Sequence, residues 1–383
     1  MKYEMLKPRP ALCSASFLVA QTLLSVPQDT YQIILRYCFV LPFFALFSIH
    51  AHSQTTSPQT IRIKAVGDVL LGSLTPARFI PPDSGNVFVA SIGAYLRGAD
   101  ITFGNFEAAF VREGMRAQKC AEASRRKGVC FEFGTPPFLA PTLKKLGFTV
   151  MSVDNNHADD YGAEAAEFTK QTLRAQGILP APKLGFAEIQ TQGRRVAIIA
   201  FGFSETSYKV SEAEAAHAIV RDLKKRFERV LVSFHGGAEG KSAMHVVDKT
   251  EMFYGENRGN LVKFAHAVID AGADMVIGHG PHVLRTVELY KNRLIAYSLG
   301  NFLTYGNINV KGVSGVTCVL EASIDAASGA FVSGKIIPVI QRDPGIPEYD
   351  STKQAITIIR DLMQSDIPAT PLVIEDDGSI RRK

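Results

Sequence analysis

Beyond residue 60, short β-branched and aromatic runs alternate with stretches whose apolar positions recur at helical spacing. Ile61–Val66, Ile101–Phe103, Phe148–Val153, Arg195–Phe201, Val230–Phe234 and Asp274–Ile277 read as strands. Val87–Leu96, Pro137–Leu146, Gly162–Ala175, Glu212–Glu228 and Asn260–Ala271 read as helices. Pro137 opens its helix and Gly147 follows it; Gly177 and Gly272 stop two others. From residue 283 the pattern becomes mostly strand and turn, at 283–290, 293–298, 315–324 and 331–340. A last helix near 353–364 precedes a polar tail. This alternation predicts a layered α/β domain with a mixed sheet. The strand-rich final third predicts a second sheet, or antiparallel additions packed on the first.

The first sixty residues follow a different pattern. Residues 11–26 and 37–49 are apolar, Lys2, Lys7, Arg9 and Arg36 precede or flank them, and Ala51-His52-Ser53 is a small-x-small arrangement. That is the layout of an export signal. The second run is shorter than the ~18–20 residues of a spanning helix. Expected boundaries are an export signal or membrane anchor at 1–53, a polar linker at 54–60, one domain at 61–345, and a C-terminal helix and tail at 346–383. The protein is then periplasmic or displayed at the cell surface, released or held by its N-terminal segment. Cysteine placement follows the same logic. Cys13 and Cys38 fall in the leader, while Cys120 and Cys130 flank a short basic loop. In an oxidising compartment those two close a disulfide; otherwise they are free thiols. Cys318 sits in an apolar run and reads as a small buried hydrophobe.

Composition narrows the function classes. With 46% hydrophobic and 21% charged residues the chain can bury a substantial core. Its formal charge is +5, and its basic runs are as short as Arg125-Arg126-Lys127 and Arg381–Lys383. No footprint for nucleic acid is present.

Candidate chemistry lies at the carboxyl ends of the strands, where α/β sheets bind ligands. Successive strands run into Gly67-Asp68, Asn105-Phe106-Glu107, Asp154-Asn155-Asn156-His157, His235-Gly236-Gly237-Ala238-Glu239 and His279-Gly280-Pro281-His282. Each piece alone is an ordinary turn. Five in succession deliver carboxylate, carboxamide and imidazole groups, the donor types of Mn, Fe or Zn sites holding one or two ions. Tyr254–Gly259 places Arg258 near a helix start, as a clamp for a carboxylate or phosphate or as an ordinary loop arginine. Asn105 and Asn301 are strand-end carboxamides able to hydrogen-bond into such a site.

The segments AVGDVLLG (65–72), DITFGNFE (100–107), VDNNHADDYG (153–162), VSFHGGAE (232–239), DAGADMVIGHGPHV (270–283) and LIAYSLGNF (294–302) resemble the CapA family of capsule and poly-γ-glutamate synthesis proteins. The resemblance implies a calcineurin-like metallophosphoesterase-type sandwich of mixed sheets flanked by helices. It implies metal ligation by Asp68, Glu107 (bridging), Asn156, His235, His279 and His282. It gives His157 an acid or phosphate-contacting role, with His157 or His282 moving the proton. Asn105, Arg258 and Asn301 are the candidate substrate contacts. There are departures. Asp68-Val69-Leu70 stands where phosphoesterases have Asp-x-His, Glu107 replaces an Asp, and Asp154 replaces the commoner Ala. His235-Gly236-Gly237 replaces His-Trp-Gly, a change expected to open the pocket mouth.

Two functions follow. One is a metal-dependent hydrolase of a phosphoester or γ-glutamyl amide. The other is a non-catalytic component of capsule polymer synthesis or export, binding polymer beside a membrane complex. Either takes an anionic polymer or a small anionic substrate. An exported α/β protein without metal is the third and plainest reading.

Overall fold

The computed structural model describes residues 59–383; the expected export segment and the linker up to residue 58 lie outside the described residues. Two sheets stack face to face. The first runs in the order Leu372–Ile374, Ser379–Arg382, Phe331–Arg342, Val316–Asp325, Thr60–Leu70, Ile101–Phe106, Val150–Val153, Leu179–Pro182. Its last four strands are parallel and the others antiparallel. Asn301–Thr304 pairs beside the end of Thr60–Leu70, and Ile346–Tyr349 beside Phe331–Arg342. The second runs Val287–Tyr290, Arg293–Ala296, Met275–His279, Arg229–His235, Arg194–Phe201, Phe186–Thr191, with four parallel central strands and an antiparallel strand at each edge.

Alternation along the strands sorts side chains to the two faces. Ile61, Ile63, Ala65 and Phe103 meet Ile198, Leu231, Met275 and Ile277 in a core between the sheets. Val66, Phe106 and Met151 face outward beneath helices Asn86–Leu96 and Ala140–Leu146. Ile199, Val232 and Val276 lie beneath helices Ala213–Lys224 and Leu261–Asp270. The central parallel strands of both sheets are thus covered on both faces, which is why they read as continuous apolar runs. The chain is the expected α/β sandwich of mixed sheets flanked by helices.

Differences from the sequence reading have local causes. The strand-rich final third contributes to both sheets: Val287–Tyr290 and Arg293–Ala296 complete one side of the second, and Val316–Asp325 and Phe331–Arg342 extend the first with antiparallel strands. The polar tail in fact carries strands Leu372–Ile374 and Ser379–Arg382, which bury Leu372, Ile374 and Ile380. Three apolar positions among charged neighbours give too short an alternation to read. Leu179–Pro182 holds two prolines, which disguise it as loop, and both are tolerated because the strand lies at the sheet edge. Cys120 and Cys130 form a disulfide, and Cys318 is buried, its thiol pushed up to about 12 by burial. Among the described residues no helix is long and apolar enough to cross a membrane.

Candidate metal centre

The parallel strands of both sheets point their carboxyl ends to one edge of the sandwich, and the candidate ligands gather there. Asp68 sits where Thr60–Leu70 pairs with both neighbours, opposite Asn105 on one side and Asn301 on the other. The register shifts at this point on both sides, so the strand bulges where its carboxylate is presented. Gly67 permits the close approach; a Cβ there would lie 1.8 Å from the carbonyl oxygen of Gly300.

Three residues converge. Ligand atoms of Asp68, Glu107 and His282 lie within 4.8 Å of one another. His282 Nε2 is 3.5 Å from Glu107 Oε1. Its Nδ1 lies 2.9 Å from Asn301 Oδ1 and 3.1 Å from Asp68 Oδ2. The single Nδ1 hydrogen serves the nearer carboxamide, which turns Nε2 toward Glu107. His282 adopts φ of +57°, an unusual backbone for a histidine and one often found at functional sites.

The decisive feature is what these groups lack. Asp68 Oδ2, both carboxylate oxygens of Glu107, Asn156 Oδ1 and His235 Nε2 are buried without a hydrogen-bond partner among the described residues. Buried polar atoms are otherwise almost always paired. Carboxylate, carboxamide and imidazole are donors for a borderline divalent cation, so the set fits such an ion. His235 Nε2 stands 3.9 Å from Glu107 Oε1, at the margin of the cluster.

Electrostatics match a site of concentrated negative charge. Burial and the neighbouring Asp68 push the Glu107 carboxyl well above its usual range. Burial also works against the Asp68 carboxylate, but contact with His282 and the charges of His282, His279 and His235 outweigh it and hold Asp68 at about 2. Burial lowers His235 and His279. For His282 the same burial effect is overcome by Glu107, Asp68 and Glu239, which raise it well above the usual histidine value.

His157 lies beside the cluster in the same cavity. Its Nδ1 is 2.7 Å from Asp160 Oδ2, which also accepts the Phe133 backbone N–H, and Lys119 pairs with the other Asp160 oxygen at 3.1 Å. Burial keeps the ring neutral by lowering its proton affinity. With Nδ1–H held by Asp160, Nε2 carries the lone pair.

Four expected roles change. His279 does not join the three-residue set; its Nε2 donates to the Val66 carbonyl at 3.0 Å and its Nδ1 lies 3.4 Å from Ser233 Oγ. Asn105, expected at the substrate, is fully buried; its Nδ2 donates to Asp68 Oδ1 and its Oδ1 accepts from Asn155. Asn301 likewise orients His282, and its Nδ2 donates to the carbonyls of His282 and Ser314. Both are positioning residues. Arg258 lines the cavity, but it is buried, paired with Glu239 and Glu256, and laid 3.7 Å over the Phe203 ring. It holds a loop rather than a substrate anion. Nor does the His-Gly-Gly segment open the mouth: a Cβ on Gly236 would lie 2.8 Å from the Arg258 carbonyl oxygen. Leu70, at the position of the absent imidazole, is buried in the outer core.

Sequence reasoning passed over Asp160, Lys119 and Glu239. Asp160 stood three residues after His157, a spacing that returns a side chain within one turn. Glu239, whose Oε2 lies 4.0 Å from His282 Nε2, stood at the end of a quoted segment. Lys119 is isolated in a polar loop and gives no signal.

Comparison with known proteins gives the family of the chain. The model of the family described as bacterial capsule synthesis protein PGA_cap matches residues 62–305, more than half of the chain. The chain belongs to this family. Among its relatives, the PGA biosynthesis protein CapA of Bacillus subtilis (strain 168) is 28% identical over 292 residues, covering 69% of this chain and 70% of that protein. The capsule biosynthesis protein CapA of Bacillus anthracis is 27% identical over 289 residues, covering 69% and 67%. A solved structure, the putative 5'-nucleotidase from Staphylococcus aureus in complex with alpha-ketoglutarate, aligns with a TM-score of 0.41 and 15% identity over 80% of this chain and 58% of that one. That last likeness is too slight to bear on the reaction. All the candidate ligands fall inside the matched span of the family.

Proposed function

We propose that the chain is an exported, divalent-metal-dependent hydrolase of an anionic phosphoester or γ-glutamyl amide, acting in capsule or poly-γ-glutamate biosynthesis. The observation that carries this is the set of buried, unpartnered donor atoms on Asp68, Glu107, Asn156 and His235 beside an oriented, neutral His157. Asp68, Glu107 and His282 would hold the ion, with Asn156 and His235 at its margin. A divalent ion in such a site supplies Lewis-acid polarisation and eases ionisation of water. Asn105 and Asn301 fix the ligands. Asp160 fixes His157 so that Nε2 accepts a proton from the nucleophile or returns one to the leaving group. The Cys120–Cys130 disulfide supports an oxidising compartment, in keeping with an export segment at 1–53.

The test is turnover of p-nitrophenyl phosphate and γ-glutamyl-p-nitroanilide by chain reconstituted with Mn, Fe or Zn. His157→Ala is expected to lower kcat by about 10²–10⁴-fold, with the circular dichroism unchanged. A metal-loaded chain that turns over neither probe, but loses retention of poly-γ-glutamate on His235→Ala, would be a polymer-binding component instead.

A further inference from the structure

The cavity above the cluster has about 840 Å³ of space, and its walls do not suit a polyanion. Apart from His282, which the acidic groups of the cluster already hold, its cations are Lys119 and Arg258, and both are already paired, with Asp160 and with Glu239 and Glu256. Three carboxylates, Glu107, Glu239 and Glu256, line it against those two cations. Six lining residues are apolar, Val129, Phe131, Phe133, Phe253, Tyr254 and Ile308, beside the polar Asn156, Asn307, Asn309 and the two histidines. Val129, Phe131 and Tyr254 are 70%, 44% and 91% exposed, large apolar groups left in water around one opening.

This rim is built by two braced segments. The disulfide closes the loop that carries Val129, and Phe131 follows directly. The buried Glu132 ties the base of that loop, accepting the Cys120 N–H and the Arg125 guanidinium. Opposite stands the hairpin Met252–Phe253 with Glu256–Asn257. Its turn is Tyr254-Gly255, with φ of +46° and +82°. Such a two-residue turn favours Asn-Gly or Gly-Gly, and a bulky aromatic ring at a positive φ is an outlier. Neither turn preference nor burial explains Tyr254. It packs 4.4 Å from the Phe253 ring, and Arg258 lies between Phe253 and Phe203 to hold the hairpin in place.

The geometry points to a small substrate that places one anionic group on the metal-ligand cluster and an aromatic or comparably apolar body against the rim of Phe131 and Tyr254, rather than a chain of carboxylates. This rests on the proposed hydrolase reading and names its substrate class. Aromatic walls with a few convergent polar groups are the ordinary make-up of a small-molecule site.

The experiment is calorimetric titration of the Mn-loaded full chain with benzylphosphonate and with methylphosphonate, which share the anionic head and differ in the apolar body. Benzylphosphonate is expected to bind about tenfold tighter or more, the gain from burying one aromatic ring. In the Phe131→Ser/Tyr254→Ser variant the ratio is expected to fall toward one. Equal affinities in the parent, or a ratio that survives in the variant, would overturn the rim inference while leaving the hydrolase reading in place. If neither phosphonate binds, the rim inference fails, and turnover of γ-glutamyl-p-nitroanilide alone decides the hydrolase reading. Parent chain that sediments with phosphatidylglycerol vesicles and loses this in the variant, with no benzyl preference, would make the rim a membrane contact and overturn the substrate class.

Discussion

Glu107→Gln is expected to reverse its effect on stability according to whether metal is present. In metal-free chain the parent buries two carboxylate oxygens without partners, beside Asp68. Burying such a charge is unfavourable, so its folded-state proton affinity is raised. A carboxyl raised in this way costs nothing below its unfolded value of about 4.3, and the folded state loses stability as pH climbs from there through the raised folded value. At neutral pH the neutral Gln removes that penalty, and the metal-free variant should be about 1–3 kcal/mol more stable than the parent. With metal at a thousand times its dissociation constant the parent gains about 4.1 kcal/mol and the variant gains little. Thermal unfolding with chelator and with added Mn should therefore rank the two proteins in opposite orders. The same order in both conditions would separate Glu107 from metal binding.

The second large effect concerns the frame behind the site. Arg285 is fully buried and makes a bidentate pair with Glu251 at 2.8 and 2.7 Å. Glu251 also accepts the Ala238 N–H, and Arg285 donates to the Ala238 carbonyl, so the pair clamps the loop that presents Glu239. Arg285→Ala should cost about 3–5 kcal/mol in urea unfolding, because it strands a buried carboxylate. Arg285→Met/Glu251→Leu should recover most of that loss, since it removes both charges and keeps the volume. A loss below about 1 kcal/mol in the single variant would show that water reaches Glu251.

The sandwich was legible because most of its parallel strands are buried on both faces and read as apolar runs ending in glycine and polar residues. The gathering of Asp68, Glu107 and His282 was legible for a related reason: parallel strands deliver their carboxyl ends to one edge, so residues far apart in sequence share a site. What sequence could not separate is ligand from ligand-holder. Asn105, Asn301 and His279 stand at strand ends just as Asp68 does, and only bond geometry shows that they contact protein groups. Arg258 reads equally as an anion clamp or as a loop arginine, because its partners, Glu239 and Glu256, come from a loop and a hairpin whose meeting no local pattern announces. The apolar rim was equally hidden, since Phe131 and Tyr254 sit 123 positions apart and neither lies in a periodic segment.

Metal content decides the central claim most directly. Elemental analysis of the purified chain, after reconstitution with Mn, Fe or Zn, should find one to two equivalents bound. The Glu107→Gln/His282→Ala variant should retain none while keeping its circular dichroism. A parent that binds no metal, or a variant that keeps it, would contradict the account.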